Sequence, residues 1–208
     1  MRLLTWHVAG ILRISRQTVE IAIRELIIHA SPSSVVSGNN PDVTRIDLLY
    51  NCLHAVKGWF DEFFTFPIAD YAGITFNVFC GLAIGFQTLY RLSVLDTPGW
   101  DRAAVRSTAN LLDLLDRCAD NIAQVPVVIG MDGAGLEEED NFTRAAKLVR
   151  NQRLSCAQAL EQVGVAAARA EGAATTAANV NMAEFQQLLD TQHDSWLIDM
   201  FAGTWEGI

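Results

Sequence analysis

The stretch RIDLLYNCLHAVKGWFDEFF, residues 45–64, decides the fold class. Its apolar residues Ile46, Leu49, Leu53, Val56, Phe60 and Phe63 recur every three or four positions, the spacing that lines one face of an α-helix. Asp42 or Thr44 supplies a cap at its start, and Pro67 ends it. On the N-terminal side, Ser31–Asp42 holds Pro32, Gly38, Asn39, Asn40 and Pro41 and reads as a loop. Before that loop, residues 3–30 set Ile11, Leu12, Ile14, Val19, Ile23, Leu26 and Ile27 among arginines and glutamates. That pattern is an amphipathic helix with Gly10 as its weak point.

On the C-terminal side a second strong helix is expected from Gly73 or Ile74 to Leu95, closed by the turn DTPGWD. From Tyr71 to Tyr90 no residue is charged, a length that can cross a bilayer. Thr75, Asn77, Gln87 and Thr88 interrupt its hydropathy and no basic cluster flanks it, so a helix buried in a protein core fits better. A third helix is expected over 101–125, with Val105, Ala109, Leu112, Leu115 and Ile122 inward and Pro126 as its stop. Residues 130–141 form an acidic, glycine-containing linker, and a fourth helix follows from Phe142 to about Glu171. Residues 172–182, low in complexity, read as a mobile linker, and the aromatic-rich end folds back as a short helix. No run alternates as a strand does and no segment repeats. The expectation is an all-α domain over 1–208, compact, with about five to seven helices.

Half of the 208 residues are hydrophobic, enough to build a sizeable core. The net charge of -9 works against binding nucleic acid, whose phosphates are held mainly by Lys and Arg. The basic stretch Arg144, Lys147, Arg150 and Arg153 amounts to one solvated helical face. Cys52, Cys80, Cys118 and Cys156 are 28, 38 and 38 residues apart, far from the spacings of zinc or redox motifs. They read as buried free thiols in a reducing compartment.

Three phrases then carry a resemblance: RIDLLYNCLHAVKGWFDEFFTFP, TLYRLSVLDTPGWDRAAVRSTANLLDLLDRCADNIAQV and DSWLIDMFAGTWE. In that order they resemble the C-terminal half of fungal-specific transcription factors of the binuclear zinc cluster type. The matching features are the Trp-Phe pair within Lys57–Phe60, the phrase Leu89–Ser93, then Trp100–Arg102, and the closing Trp196, Leu197 and Trp205. The resemblance spans about Arg45 to Trp205. It implies a helical, nuclear, ligand- or partner-sensing regulatory domain. Members contact DNA through an N-terminal cluster of six cysteines holding two zinc ions, which these residues do not contain. Neither zinc, nor another cofactor, nor direct DNA contact is therefore expected of this chain.

No catalytic constellation stands out. His54, Lys57 and Asp61 share one helical face and read as a polar stripe with an ion pair, the alternative being an acid–base set. Asp113, Asp116 and Asp120 also share a face. Without a second acidic motif they read as solvated carboxylates rather than a magnesium site. GMDGAG at 130–135 lacks a preceding strand and phosphate-loop spacing, and His193, Asp194 and Ser195 are too close in sequence to orient one another. Trp59, Trp100, Trp196 and Trp205, with Phe60, Phe63, Phe64 and Phe66, read first as core. If instead a cavity opens between the helices, its candidates are His54, Lys57, Trp59, Phe60, Asp61, Phe63, Tyr90, Trp100 and Trp196. The expected partners are an apolar effector and a homo- or hetero-dimer mate or transcriptional co-regulator, with no membrane. The alternative is a stand-alone cytoplasmic protein. It would be a cofactor-free biosynthetic enzyme orienting an apolar molecule, or a competing dimerisation partner.

Overall fold

The computed structural model describes residues 2–29, 41–131 and 140–172. The loop 31–40, most of the acidic linker, the linker beyond Gly172, the aromatic C-terminal segment, Trp196 and Trp205 lie outside the described residues. Six α-helices and one 3-10 turn make up the described part, and no strand occurs among them. The chain divides into two compact units, Met1–Leu114 and Leu115–Ile208.

In the first unit α1 (Arg2–His29), α2 (Pro41–Phe63) and α3 (Phe76–Val94) pack on one another, and α4 (Arg102–Thr108) lies against α3 and α2. The α2 stripe is buried: Leu49, Leu53, Val56, Trp59, Phe60 and Phe63 are each at most 1% exposed. Ile46, at the start of that stripe, is only half-buried. Trp59 stacks on Phe63 at 5.2 Å and meets Phe60 edge-on at 5.3 Å. Ile14 and Ile21 of α1 complete this core with Val78, Leu82, Phe86, Leu89 and Leu92 of α3.

One polar junction is built into it. Trp59 Nε1 donates to Thr18 Oγ1 at 3.0 Å, and that hydroxyl donates to the Ile14 carbonyl at 3.0 Å. Gly81 of α3 sits against the pair, where a Cβ would fall 2.4 Å from Thr18 Oγ1. The uncharged stretch 71–90 therefore passes through a 3-10 turn (Ile68–Gly73) into a core helix. Among the described residues no helix is long and apolar enough to cross a membrane. Ion pairs between Arg13 and Glu62, at 3.1 Å, and between Arg91 and Glu25 tie α1 to α2 and α3 at the rim.

The expected turn after α3 is present in detail. Thr97–Trp100 closes with Trp100 N–H donating to Thr97 O at 3.0 Å, Pro98 in its second place and Gly99 at φ +79° in its third. That is a type II turn, which needs a residue that tolerates positive φ at this position. It sets Trp100 against Tyr50, 4.7 Å between rings, with Nε1 donating to Leu92 O at 2.9 Å. Asp101 then caps α4 by accepting from Ala103 N–H at 2.7 Å.

Two expectations need correction. The helix expected over 101–125 is two: Ala109 is extended at φ -147°, and α5 (Leu111–Val128) restarts behind it. Asn110 accepts from Leu112 N–H at 3.1 Å, a cap that competes with continuous helix at this point. Nor does Pro126 stop α5. The ring removes a hydrogen bond to the previous turn and crowds its carbonyl, yet α5 runs on through it to Val128. The stop is Gly130 at φ +75°, where Met131 N–H donates to Pro126 O and Gly130 N–H to Val127 O, as in a Schellman cap.

In the second unit the remainder of α5 buries Leu115, Cys118, Ala119, Ile122 and Val125, and α6 (Asn141–Gly172) buries Ala146, Val149 and Cys156. The two helices run antiparallel, since Asp116 pairs with Arg153 at 2.9 Å and Asp120 with Arg150 at 3.1 Å. Asp140 caps α6, accepting from the Phe142 and Thr143 N–H groups at 2.9 Å each. Partial burial raises its pKa, but those bonds and the Thr143 hydroxyl outweigh it and hold the carboxyl below its usual range.

All four cysteines are free, three of them buried. Desolvation pushes the Cys118 thiol up to about 12. For Cys52 it does the same, helped by Glu25 and opposed by Arg24, and Cys156 rises to about 11. Above pH about 9 the unfolded chain sheds thiol protons that the folded chain keeps, so stability falls as pH rises from there toward 12. Urea midpoints should therefore drop steadily across that window, and substituting Cys118 by Ser should flatten the decline. At neutral pH, alkylation of the folded chain should label Cys80 first and leave Cys52 and Cys118 untouched until the chain unfolds.

Candidate effector cleft

The α4–α5 break opens a surface cleft of about 330 Å³ against α2. From α2 it takes Lys57, Phe60 and Asp61, one turn apart on the helix. From the other wall it takes Arg106, Ser107, Thr108, Ala109, Asn110 and, in the first turn of α5, Asp113 and Leu114. Lys57 Nζ lies 2.5 Å from Asp61 Oδ2, the ion pair expected of that stripe. Both side chains are substantially exposed, so the pair contributes little to folding and can be remade around a ligand at small cost. Phe60, almost fully buried, gives the floor one apolar edge.

Of the residues considered from sequence, Lys57, Phe60 and Asp61 come together here. His54 is exposed one turn earlier on α2 and does not line the cleft. Trp59 and Phe63 face the interior, Tyr90 is buried on α3, and Trp100 is packed on Tyr50. Trp196 lies outside the described residues. The second wall is not legible from apolar spacing, which runs through 101–125 as one helix and makes residues 106–110 ordinary helical surface. The available signal was Asn110, a good N-cap residue directly before the apolar run LLDLL.

The lining mixes both charges with hydroxyl and amide groups, so it suits an amphipathic molecule or a peptide segment. Among the described residues no three His, Cys, Asp or Glu side chains converge as a metal would require. Asp116 and Asp120 are engaged with Arg153 and Arg150.

The described residues form an all-helical domain. Residues 68–207 match the family model ATEG07667_C, described as a C-terminal domain, and the chain belongs to that fungal transcription factor family. The transcription factor opdL of Penicillium oxalicum is 29% identical over 155 residues, 74% of this chain and 27% of that protein. A transcription factor of Aspergillus terreus is 26% identical over 118 residues, 53% of this chain and 20% of its own. The chain thus spans about a quarter or less of the length of these relatives. No solved structure matches. Neither relative lends support to the enzyme or the competing-partner alternative.

Proposed function

We propose that this chain is the regulatory region of a fungal transcription factor, working in the nucleus and answering to a bound effector or protein partner. The family match over 68–207 carries this reading, and the transcription-factor names of both relatives support it. DNA contact belongs elsewhere in such a protein, because a chain of net charge -9 adds repulsion rather than affinity toward phosphates. The effector is held in the cleft between α2 and the α4–α5 turn, its polar end between Lys57 and Arg106 and its apolar part against Phe60. Signalling proceeds through a homo- or hetero-dimer or a transcriptional co-regulator.

Tethering tests it. Fused to an unrelated DNA-binding module in a fungal host, the chain should change reporter output at least several-fold relative to the module alone. Reversing charge in the cleft, Lys57→Glu with Arg106→Glu, should remove most of that change while leaving helix content and melting nearly as they were, since exposed charges add little stability. A tethered chain that leaves the reporter untouched would refute the regulatory reading. An active chain indifferent to both cleft substitutions would refute the cleft.

A further inference from the structure

Arg45, near the start of α2, is the one buried charged residue among the described residues, at 9% exposure. Its Nε has no hydrogen-bond partner, and among the described residues no carboxylate pairs with its guanidinium. Arg24, Arg91 and Arg102 are more exposed, yet each holds a carboxylate. Taking a charge out of water without a counter-charge is costly. A guanidinium also presents a planar fork of donors that matches a carboxylate. At this point, then, the described residues hold a cation and do not supply its anion.

An apolar groove begins one turn away. α1 and α2 run antiparallel, since Arg13 pairs with Glu62 and Trp59 bonds to Thr18, so the last turns of α1 lie along the first turns of α2. Between them is a groove of about 340 Å³ lined by Ile23, Arg24, Leu26, Ile27 and Leu48. Ile23 and Leu26 stand 64% and 67% exposed along it. Arg45 precedes Leu48 by one turn of α2, about 4.5 Å along the helix axis. Arg24, the charge in the lining, is already gripped by Glu20 at 2.8 Å, which leaves Arg45 to select the polar end of what binds.

We propose that this groove takes an amphipathic carboxylate, a small acid with an unbranched apolar tail. Arg45 holds the carboxylate, and the tail lies on Ile23, Leu26, Ile27 and Leu48. The groove's volume of about 340 Å³ falls at the small end of ligand sites, which run roughly 300–1,000 Å³, so a short acyl chain suits it. The anionic head supplies the missing counter-charge, and the tail withdraws exposed apolar surface from water. A neutral chain would leave the buried charge unpaired, and a cationic one would oppose it. This groove is separate from the cleft of Lys57 and Arg106, and binding here does not rest on the regulatory reading.

Isothermal titration calorimetry of octanoate into the full chain should show saturable binding of one molecule per chain. Octanol should bind about tenfold more weakly or worse, and octylamine should give no saturable binding. Arg45→Met should weaken octanoate about tenfold or more while keeping or raising the urea midpoint, because an apolar side chain of similar length removes the unpaired charge. Ile23→Glu changes an exposed position, so it should spare the fold, and it should weaken octanoate to a similar extent. That variant keeps the test open should Arg45→Met fail to fold. Lys57→Glu with Arg106→Glu should leave octanoate binding unchanged, whatever it does to reporter output. Absence of saturable binding overturns the proposal, and so does equal binding of octanol. An octanoate affinity indifferent to Arg45→Met or to Ile23→Glu, or lost in the cleft variant, overturns it as well.

Discussion

Trp59→Ala is expected to lower the free energy of unfolding by about 4 kcal/mol, the range found when a large buried aromatic is cut to a methyl group. The indole is fully buried, and its ring stacks on Phe63 and meets Phe60 edge-on. Its removal leaves a cavity that neighbours on three helices cannot close without losing their own contacts. It also takes away the donor that reaches Thr18, leaving a hydroxyl on α1 with an unused acceptor in a dry site. Against a total stability of about 5–15 kcal/mol such a loss takes much of the margin. Urea unfolding followed by far-UV circular dichroism measures it. Trp59→Phe keeps most of the ring and loses the donor, so it should cost only about 1–2 kcal/mol. If alanine costs no more than phenylalanine, the indole is not packed as described.

Gly81→Ala should destabilise by about 2–3 kcal/mol, although alanine is the better helix former. The added methyl carbon would sit 2.4 Å from Thr18 Oγ1 and 2.8 Å from Trp59 Cζ2. Neither neighbour is a loose side-chain tip, since each holds the other by a hydrogen bond, and yielding means moving α3 off α1 and α2. Gly58 is the internal control. It lies inside α2 with nothing within 4 Å of its would-be Cβ, so Gly58→Ala should stabilise by about 0.5–1 kcal/mol. Opposite signs for one chemical change on two helices isolate the contact from the propensity. Equal effects would mean that α1, α2 and α3 do not approach as closely as Gly81 requires.

How much of this was legible before folding differs from element to element. α2 was expected from a cap near Asp42 or Thr44 to about Phe64 and spans Pro41–Phe63, because its apolar spacing and the following proline are local signals. The same holds for α1 and α6, which are long and strongly periodic. The stretch 101–125 misled because its apolar spacing continues through residues 109 and 110, whereas a single capping side chain at Asn110 interrupts the backbone. At the end of α5 the local proline signal points to Pro126, whereas the left-handed Gly130 is what lets the last carbonyls find donors. For the cleft, the α2 wall was within reach, since Lys57 and Asp61 sit one turn apart. The wall from Arg106 to Asp113 was not, because it exists only where the helix breaks.

By itself the sequence determined the helical class, the face that α2 would bury and the pairing of Lys57 with Asp61. Those follow from spacing along one chain, and the interactions concerned reach no further than a turn or two. Only the tertiary structure decided that Trp59 and Phe63 are core while their neighbours Lys57 and Asp61 border a cleft, or that Gly81 must be glycine. It also decided that Leu12, Val19, Ile23 and Leu26 stay bare although Ile14 and Ile21 on the same helix do not. Each of these depends on which surfaces from distant parts of the chain meet. An amphipathic pattern says that a face is apolar, but not what will cover it.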